Sequence, residues 1–398
     1  MLGAQKTQKG TTAKMIYITL PVGSYHGWGV CGKYLVKELS QITEVLLITE
    51  HIDPASIGDD TAYKLLKEKA VSVEEYQRIK NISEHRLDGP ALHAIIGNTM
   101  KSNLPNIRGT KNIGYTFFEE SIIPASYIEN GRRFFDIIVT GSSWCEEVLR
   151  GYGINNVATI IQGIDPDLFN PASPAKEHFT DRFVIFSGGK FELRKGQDIV
   201  IKAFKHMQDK YPDVILVNSW FNHWNESLLT MKASPHIEFD IYSNDYTSLI
   251  NETLVKNGID MQRVIVLPPY PNILMAEAYR NSDIGLFPNR CEGGTNLVLM
   301  EYMACGKPVL ASFNTGHKDV LNKKNSILIE DMEPISIYDD DKEIASWFEP
   351  SLDETIAKLE WAYQNRSILP QIGNIAGQDM AKATWRKTAQ DFYHVLVS

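Results

Sequence analysis

Short unbroken apolar runs, separated by helical patterns, recur in two sets along this chain, and that recurrence constrains the fold more than any other feature. In the first half the runs are residues 15–21, 45–50 and 135–140, with an amphipathic pattern at 33–39. In the second half they are residues 183–186, 214–217, 264–267, 284–287 and 309–311. A strand wetted on one face alternates apolar and polar residues, whereas an unbroken run is buried on both faces, as parallel strands in βαβ units are. Two such sets predict two doubly wound α/β domains. The length of 398 residues agrees, because a single core stops growing well short of it. Residues 163–174 hold the densest proline cluster and are the predicted linker, and the chain reads as helical from about Leu352. Open sheets of this kind bind ligands beyond the carboxyl ends of their strands, so the cleft between the sheets is the expected site.

Composition narrows the functional classes. A net charge of −9 argues against an extended nucleic-acid surface, so no nucleic-acid partner is expected. The cysteines Cys31, Cys145, Cys291 and Cys305 are far apart with no Cys-x-x-Cys pair, which suits a reducing compartment. Residues 1–14 are polar, lack the apolar centre of a secretory signal, and are expected to be a disordered extension. No run approaches the ~18 apolar residues of a membrane helix. The expected location is cytoplasmic, with peripheral contact at the inner face of a membrane left open.

Residues 284–308 carry the most chemical information. Ile284 to Pro288 reads as a strand, 289–296 as a loop, and 297–305 as a helix closed by Gly306 at C′ and Pro308 beyond it. Thr295 or Asn296 is a suitable N-cap. Gly293 and Gly294 permit close approach of backbone to a ligand, and the first-turn N–H groups from Leu297 onward have no intrahelical partner. Together with the positive end of the helix dipole they suit a diphosphate. Glu301 sits one and a half turns in, where a carboxylate can accept two hydrogen bonds from a ribose. A second segment follows the strand at 183–186: Gly189, Lys190, Arg194 and Lys195 lie in a glycine-flanked loop opening a helix at 197–204. Two cations at a strand's carboxyl end can neutralise a pyrophosphate and stabilise it as a leaving group. A plain connection with solvated charges is the other reading of both segments.

Both segments resemble the retaining glycosyltransferases of family 4, the group 1 glycosyl transferases. Lys190 and Lys195 keep that family's five-residue spacing between two cations, and Leu297 to Glu301 with Met303 to Val309 match the tail of its acidic motif. Glu292 stands nine positions before Glu301, one more than the family's eight, so the loop is one residue longer. Residues 160–169 resemble the interdomain linker, 278–288 the stretch before the acidic loop, 314–320 a later glycine-rich segment with Asp319 in place of Glu, and Thr384-Trp385 the start of the last helix. The resemblance implies a GT-B fold, two Rossmann-like domains facing a central cleft, with a C-terminal helix crossing back to the first. Residues 15–165 would form the acceptor-side domain, 166–372 the nucleotide-sugar domain, and 373–398 the returning helix. It implies a hexosyltransferase that moves a sugar from a nucleotide-sugar donor to a glycan or lipid-linked acceptor of polysaccharide biosynthesis, with retention. UDP-glucose is the favoured donor, a GDP-sugar the next, and no metal or other cofactor is expected. Lys190, Lys195, Glu292 and His93 would be catalytic. Gly27, Gly29, Gly189, Gly293, Gly294, Thr295, Asn296, Leu297 and Glu301 would bind donor, and Glu119, Glu120 and Trp28 acceptor.

Other motifs compete. Gly27-Trp28-Gly29-Val30-Cys31-Gly32 is a formal dinucleotide fingerprint, with Glu50 ending the next strand, but five residues separate it from the preceding strand. In the family reading it is a flexible loop facing the donor. Asp165-Pro166-Asp167 and Asp339-Asp340-Asp341 read as solvated turns, away from any strand end with further oxygen ligands. His26 and His93 are the histidines placed to meet sugar or acceptor. A non-catalytic sugar-nucleotide-binding subunit and an NAD(P)-dependent oxidoreductase are the alternative functions.

Overall fold

The structure, a computed structural model, describes residues 15–171, 176–222, 224–243 and 245–398. The extension expected at 1–14 and part of the linker therefore lie outside the described residues. Among those described, two six-stranded parallel sheets form. The first contains β1 (Ile16–Ile18), β2 (Val45–Leu47), β3 (Ala91–Ala94), β4 (Asn112–Thr116), β5 (Ile137–Thr140) and β6 (Val157–Thr159), ordered β2-β1-β3-β4-β5-β6. The second contains β7 (Phe183–Gly189), β8 (Val214–Trp220), β9 (Val264–Val266), β10 (Ile284–Phe287), β11 (Val309–Ser312) and β12 (Ile327–Ile329), ordered β9-β8-β7-β10-β11-β12. The strand order of the second sheet reverses between β7 and β10. Chain segments leaving these two strands turn to opposite faces and open a crevice there.

Burial on both sheet faces explains the unbroken apolar runs. On β7, Phe183 and Ile185 enter one core with Phe204, Leu216 and Leu286, while Val184 and Phe186 enter the other with Tyr302 and Met303. Helices α1 (Gly27–Leu39), α2 (Ser143–Gly151), α3 (Gln197–Lys210) and α4 (Leu297–Ala304) follow β1, β5, β7 and β10. Helix α4 has the boundaries its residues predict: Asn296, at φ 62°, caps its start by accepting from Leu299 N, and Gly306, at φ 71°, ends it. Helix α1 begins six residues before the apolar pattern at 33–39, because the His26 ring accepts from Gly29 N at 3.1 Å and nucleates an earlier turn. The glycine segment is thus helix rather than a flexible loop.

Two connections tie the domains. Helix α5 (Leu369–Met380) packs its Ala376 and Met380 in the second domain, and Gly373 backs on to Gly306 so closely that a Cβ there would lie 2.1 Å from the Gly306 carbonyl oxygen. The return to the first domain therefore falls after residue 380 and not at 373. There Ile164 of the linker pairs with Thr384, and α6 (Trp385–Val397) lies against α1. Trp385 stacks flat on Tyr34 at 5.3 Å, and Phe392 meets Tyr115 edge-on at 4.8 Å. A hairpin, β13 (Met332–Asp339) with β14 (Lys342–Pro350), follows β12, with Asp340 in its turn at φ 50°. No helix among the described residues is long and apolar enough to cross a membrane.

Trp385→Ala removes an almost fully buried indole from the first domain's core and should cost about 3–5 kcal/mol. Urea unfolding should show a lower midpoint for that domain. An unchanged midpoint would mean that α6 does not stabilise it.

Candidate active site in the interdomain cleft

A cleft of about 640 Å³ lies between the domains, at the carboxyl ends of β1, β3, β7 and β10. Its second-domain wall is built by the loops after β7 and β10. Gly189, the last residue of β7, turns the chain at φ 121°, and the segment Leu193–Lys195 forms one short 3-10 turn before α3. That turn aims Arg194 and Lys195 at the loop after β10. Lys195 Nζ donates to Glu292 Oε1 at 2.5 Å, and Arg194 Nη1 to Glu292 Oε2 at 3.1 Å. Asn289 donates to Glu292 Oε1 as well. Burial would raise the Glu292 pKa, but Lys195 and Arg194 outweigh it and hold the carboxyl at about 2. The residue is thus an anion, although its family spacing is offset by one.

Arg194 is the residue that the cation spacing understated. It is 7% exposed and also reaches Glu192 at 2.5 Å, Glu119 of the first domain at 3.3 Å, and the Cys291 carbonyl at 3.0 Å. Lys190 is more open; its ammonium lies 3.4 Å from Glu192 and 5.0 Å above the Trp224 ring. Arg290 was not anticipated at all. It is fully buried beneath the acidic loop, bidentate to Asp198 at 2.8 Å and held by Glu349 of the hairpin at 2.5 and 2.7 Å. An Arg next to Cys291-Glu292 was visible in the sequence, but its partners lie 92 and 59 residues away.

The rest of the predicted set divides. Gly27, Trp28, Glu119, Gly189, Gly294, Asn296, Leu297 and Glu301 line the cleft with the residues above. Gly293 does not. A Cβ there would sit 2.4 Å from the Phe118 carbonyl, and its own carbonyl accepts from Ser142 Oγ at 2.7 Å, so it seats the acidic loop on the first domain. Thr295 is wholly buried with its hydroxyl on Met300, and Gly29 is needed because a Cβ would lie 2.8 Å from Gly23 N. Glu120 is half-buried, its carboxyl raised by burial and by Glu119, and its carbonyl accepts from Asn98. It stands outside the residues that line the cleft.

His93, expected at the cleft, is instead buried in the first domain. It lies within β3, edge-on to Phe134 and Phe135, with Nδ1 3.0 Å from Ser102 Oγ and Nε2 3.2 Å from Asn112 Oδ1. Burial lowers its pKa to about 4, and Ile95 and Ile96 beyond it reach the cleft instead. His26 does line the cleft, edge-on to Trp224 at 5.9 Å. Glu50 is engaged on the surface with Gln77 and Lys80, and Asp165 with Lys37 and the Asp167 amide, which accounts for both competing motifs.

Glu301, which also lines the cleft, is 4% exposed. Asn272 Nδ2 donates to its Oε1 at 3.1 Å and Tyr279 OH to its Oε2 at 3.3 Å. Burial dominates, raising its pKa to about 7. Between Glu292 and Glu301, the first turn of α4 presents N–H groups that precede its first backbone bond, Met300 N to Asn296 O. The cleft thus brings together cations, a helix N-terminus and a carboxylate, which suits a phosphorylated ligand with vicinal hydroxyls.

Residues 182–340 match the family described as glycosyl transferases group 1. A D-inositol 3-phosphate glycosyltransferase of Xylanimonas cellulosilytica is 24% identical over 241 residues, 57% of this chain and 50% of that protein. The D-inositol 3-phosphate glycosyltransferase 1 of Catenulispora acidiphila is 27% identical over 192 residues, 47% and 42% of the two chains. The chain thus spans about half the length of the curated relatives it matches. Among solved structures, sucrose-phosphate synthase from Thermosynechococcus elongatus superposes with a TM-score of 0.65 at 14% identity, over 96% of this chain and 97% of that one. Anabaena HepE in complex with UDP-glucose gives 0.64 at 15% identity, over 96% and 99%. At such identities the structural likeness is one of fold, and it covers both domains. The family match thus covers most of the second domain, and the GT-B likeness covers both domains.

Proposed function

We propose that the chain is a retaining hexosyltransferase that moves a sugar from a nucleotide-sugar, UDP-glucose before a GDP-sugar, to a glycan or lipid-linked acceptor. The observation that carries this reading is the convergence of Lys195 and Arg194 on Glu292 at the reversal point of the second sheet, in the same cleft that Glu301 of α4 lines. The relatives' names and the UDP-glucose bound by HepE support it. An ammonium has three donors, so Lys195 can keep Glu292 and still donate to a phosphate oxygen. Lys190 and the α4 amides complete the diphosphate site, and Glu301 accepts from the ribose. Glu292, held ionised, faces the sugar hydroxyls. Acceptor enters past Trp28 and Glu119.

In this reading the enzyme stabilises charge as the glycosidic bond to the diphosphate breaks. The acceptor hydroxyl attacks from the face the diphosphate leaves, and a diphosphate oxygen takes its proton. No side chain is required as a strong base, which agrees with the absence of His93 from the cleft wall. The lysines perform the neutralisation, so EDTA should leave transfer unchanged.

Lys195→Ala should lower turnover by about 10²–10³ with the fold retained, as removal of one preorganised charge partner does elsewhere. Near-normal transfer from UDP-glucose by that variant would defeat the proposal. Burial of Glu301 has a separate signature. Its folded pKa of about 7 lies above the ordinary carboxyl value of 4.5, so its contribution to stability is greatest below pH 4.5 and is lost as pH rises to 7. Glu301→Gln should therefore gain thermal stability relative to the parent at pH 8, with the gain shrinking toward pH 5, while weakening nucleotide binding. A pH-independent difference between the two melting temperatures would contradict the assigned burial cost.

A further inference from the structure

The two domains share a buried polar chain at the ribose end of the cleft. Lys33, on α1 of the first domain, is 4% exposed, and its Nζ donates to Ser24 Oγ at 2.8 Å and to Asn272 Oδ1 at 3.2 Å. Asn272 belongs to the second domain and is itself 8% exposed; its Nδ2 donates to Glu301 at 3.1 Å. The amide can face only one way here. Turned over, it would set its NH2 against an ammonium and its oxygen against a carboxylate. Backbone fixes the same junction, since Asn272 N donates to Ser24 O at 3.0 Å and Ser24 Oγ to Ile57 O at 2.7 Å. A lysine from one domain thus dictates how an asparagine of the other presents its donor to Glu301.

We infer that Lys33 is a positioning residue for the donor: through Asn272 it orients Glu301 and makes ribose recognition depend on the approach of the first domain. This rests on the donor reading above. The surrounding charges fit the assignment. Lys33 is faced by Glu301, Asp59, Asp165 and Lys37, and Glu301 by Lys33, Tyr279 and Asp165, with Tyr34 on Asp165. Lys33 is therefore the cation that offsets Asp165 at Glu301. Burial lowers the Lys33 pKa to about 8, and the nearby carboxylates oppose that fall, so the ammonium predominates at neutral pH. When the domains separate, Lys33 leaves, Asn272 loses its orienting partner, and Glu301 keeps only Tyr279 as a fixed donor. The donor site would then be complete only in the closed form, which couples occupancy to closure.

The test uses the full chain, UDP as probe and isothermal titration from pH 5.5 to 8.5. Lys33→Met should weaken UDP binding about tenfold at pH 7 and move the inflection of affinity against pH upward, because Glu301 loses its cation. Lys33→Arg should restore most of the affinity and the parent inflection. In a Glu301→Gln background the Lys33→Met effect should largely vanish, since the two residues act as one unit. A merely structural lysine would lower stability without moving the inflection and with additive losses. Parent-like pH profiles in Lys33→Met, or additivity in the double variant, would overturn the inference while leaving the donor reading intact. Failure of the parent chain to bind UDP would instead remove the donor reading and this one with it.

Discussion

Arg194 and Lys195 meet the Glu292 carboxylate where almost no water reaches, and the arrangement of the cleft follows from that contact. Burying three ionised groups is expensive unless each is paired and its remaining donors and acceptors are satisfied. Here Asn289 donates to the same carboxylate, Thr315 Oγ1 accepts from the Glu292 amide at 2.8 Å, and Gly316 N donates to the Glu292 carbonyl at 3.0 Å. Arg290 fastens the loop from below through Asp198 in the first turn of α3. The loops after β7 and β10 are thereby locked into one rigid body, with spare lysine donors directed at the cleft. Such a network is weak evidence for stability, because apolar replacements would do as well. Its value lies in holding positive charge where a diphosphate would sit.

The acidic loop is also an interdomain contact. Its Gly293 carbonyl accepts from Ser142 and Cys145, and Asp319 accepts from Ser143 N at 2.7 Å, all at the start of α2 in the first domain. The hairpin adds a strap: Trp347 Nε1 donates to the Glu119 carbonyl at 2.8 Å, Ile122 N to Ile344 O at 2.9 Å, and Glu349 ends on Arg290. Glu119 in turn reaches Arg194. Relative motion of the domains would be felt directly by Arg194 and the acidic loop, the proposed phosphate site, which gives closure a means of completing it.

The parts legible in the sequence were those with a local cause. Continuous apolar runs revealed both sheets because parallel strands are dry on both faces, and Asn296, Gly306 and Pro308 marked the ends of α4 because helix termini must satisfy or discard their backbone groups. What stayed hidden depends on distant partners. His93 looked available until β3 placed its ring against Phe134 and Phe135. Arg290 has no local signature, and Gly293 resembles a ligand-facing glycine until Phe118 is seen beside it. The hairpin had a signal that an apolar-run reading overlooks. Ile335 and Ile337, and Ala345 and Trp347, alternate with polar residues about the Asp339–Asp341 turn, the period-two pattern of a half-wetted strand pair.

The central claim is that the cation cluster beside Glu292 is a diphosphate site fed by a nucleotide. Thermal-shift titration with uridine, UMP and UDP tests it most directly, because the three share a base and ribose and differ only in phosphate. The account predicts that UDP at 100 times its dissociation constant stabilises the chain by about 2.7 kcal/mol. It also predicts that uridine at equal concentration does far less, and that the difference shrinks in Lys195→Ala. Equal stabilisation by uridine and UDP, or none by either, would contradict it.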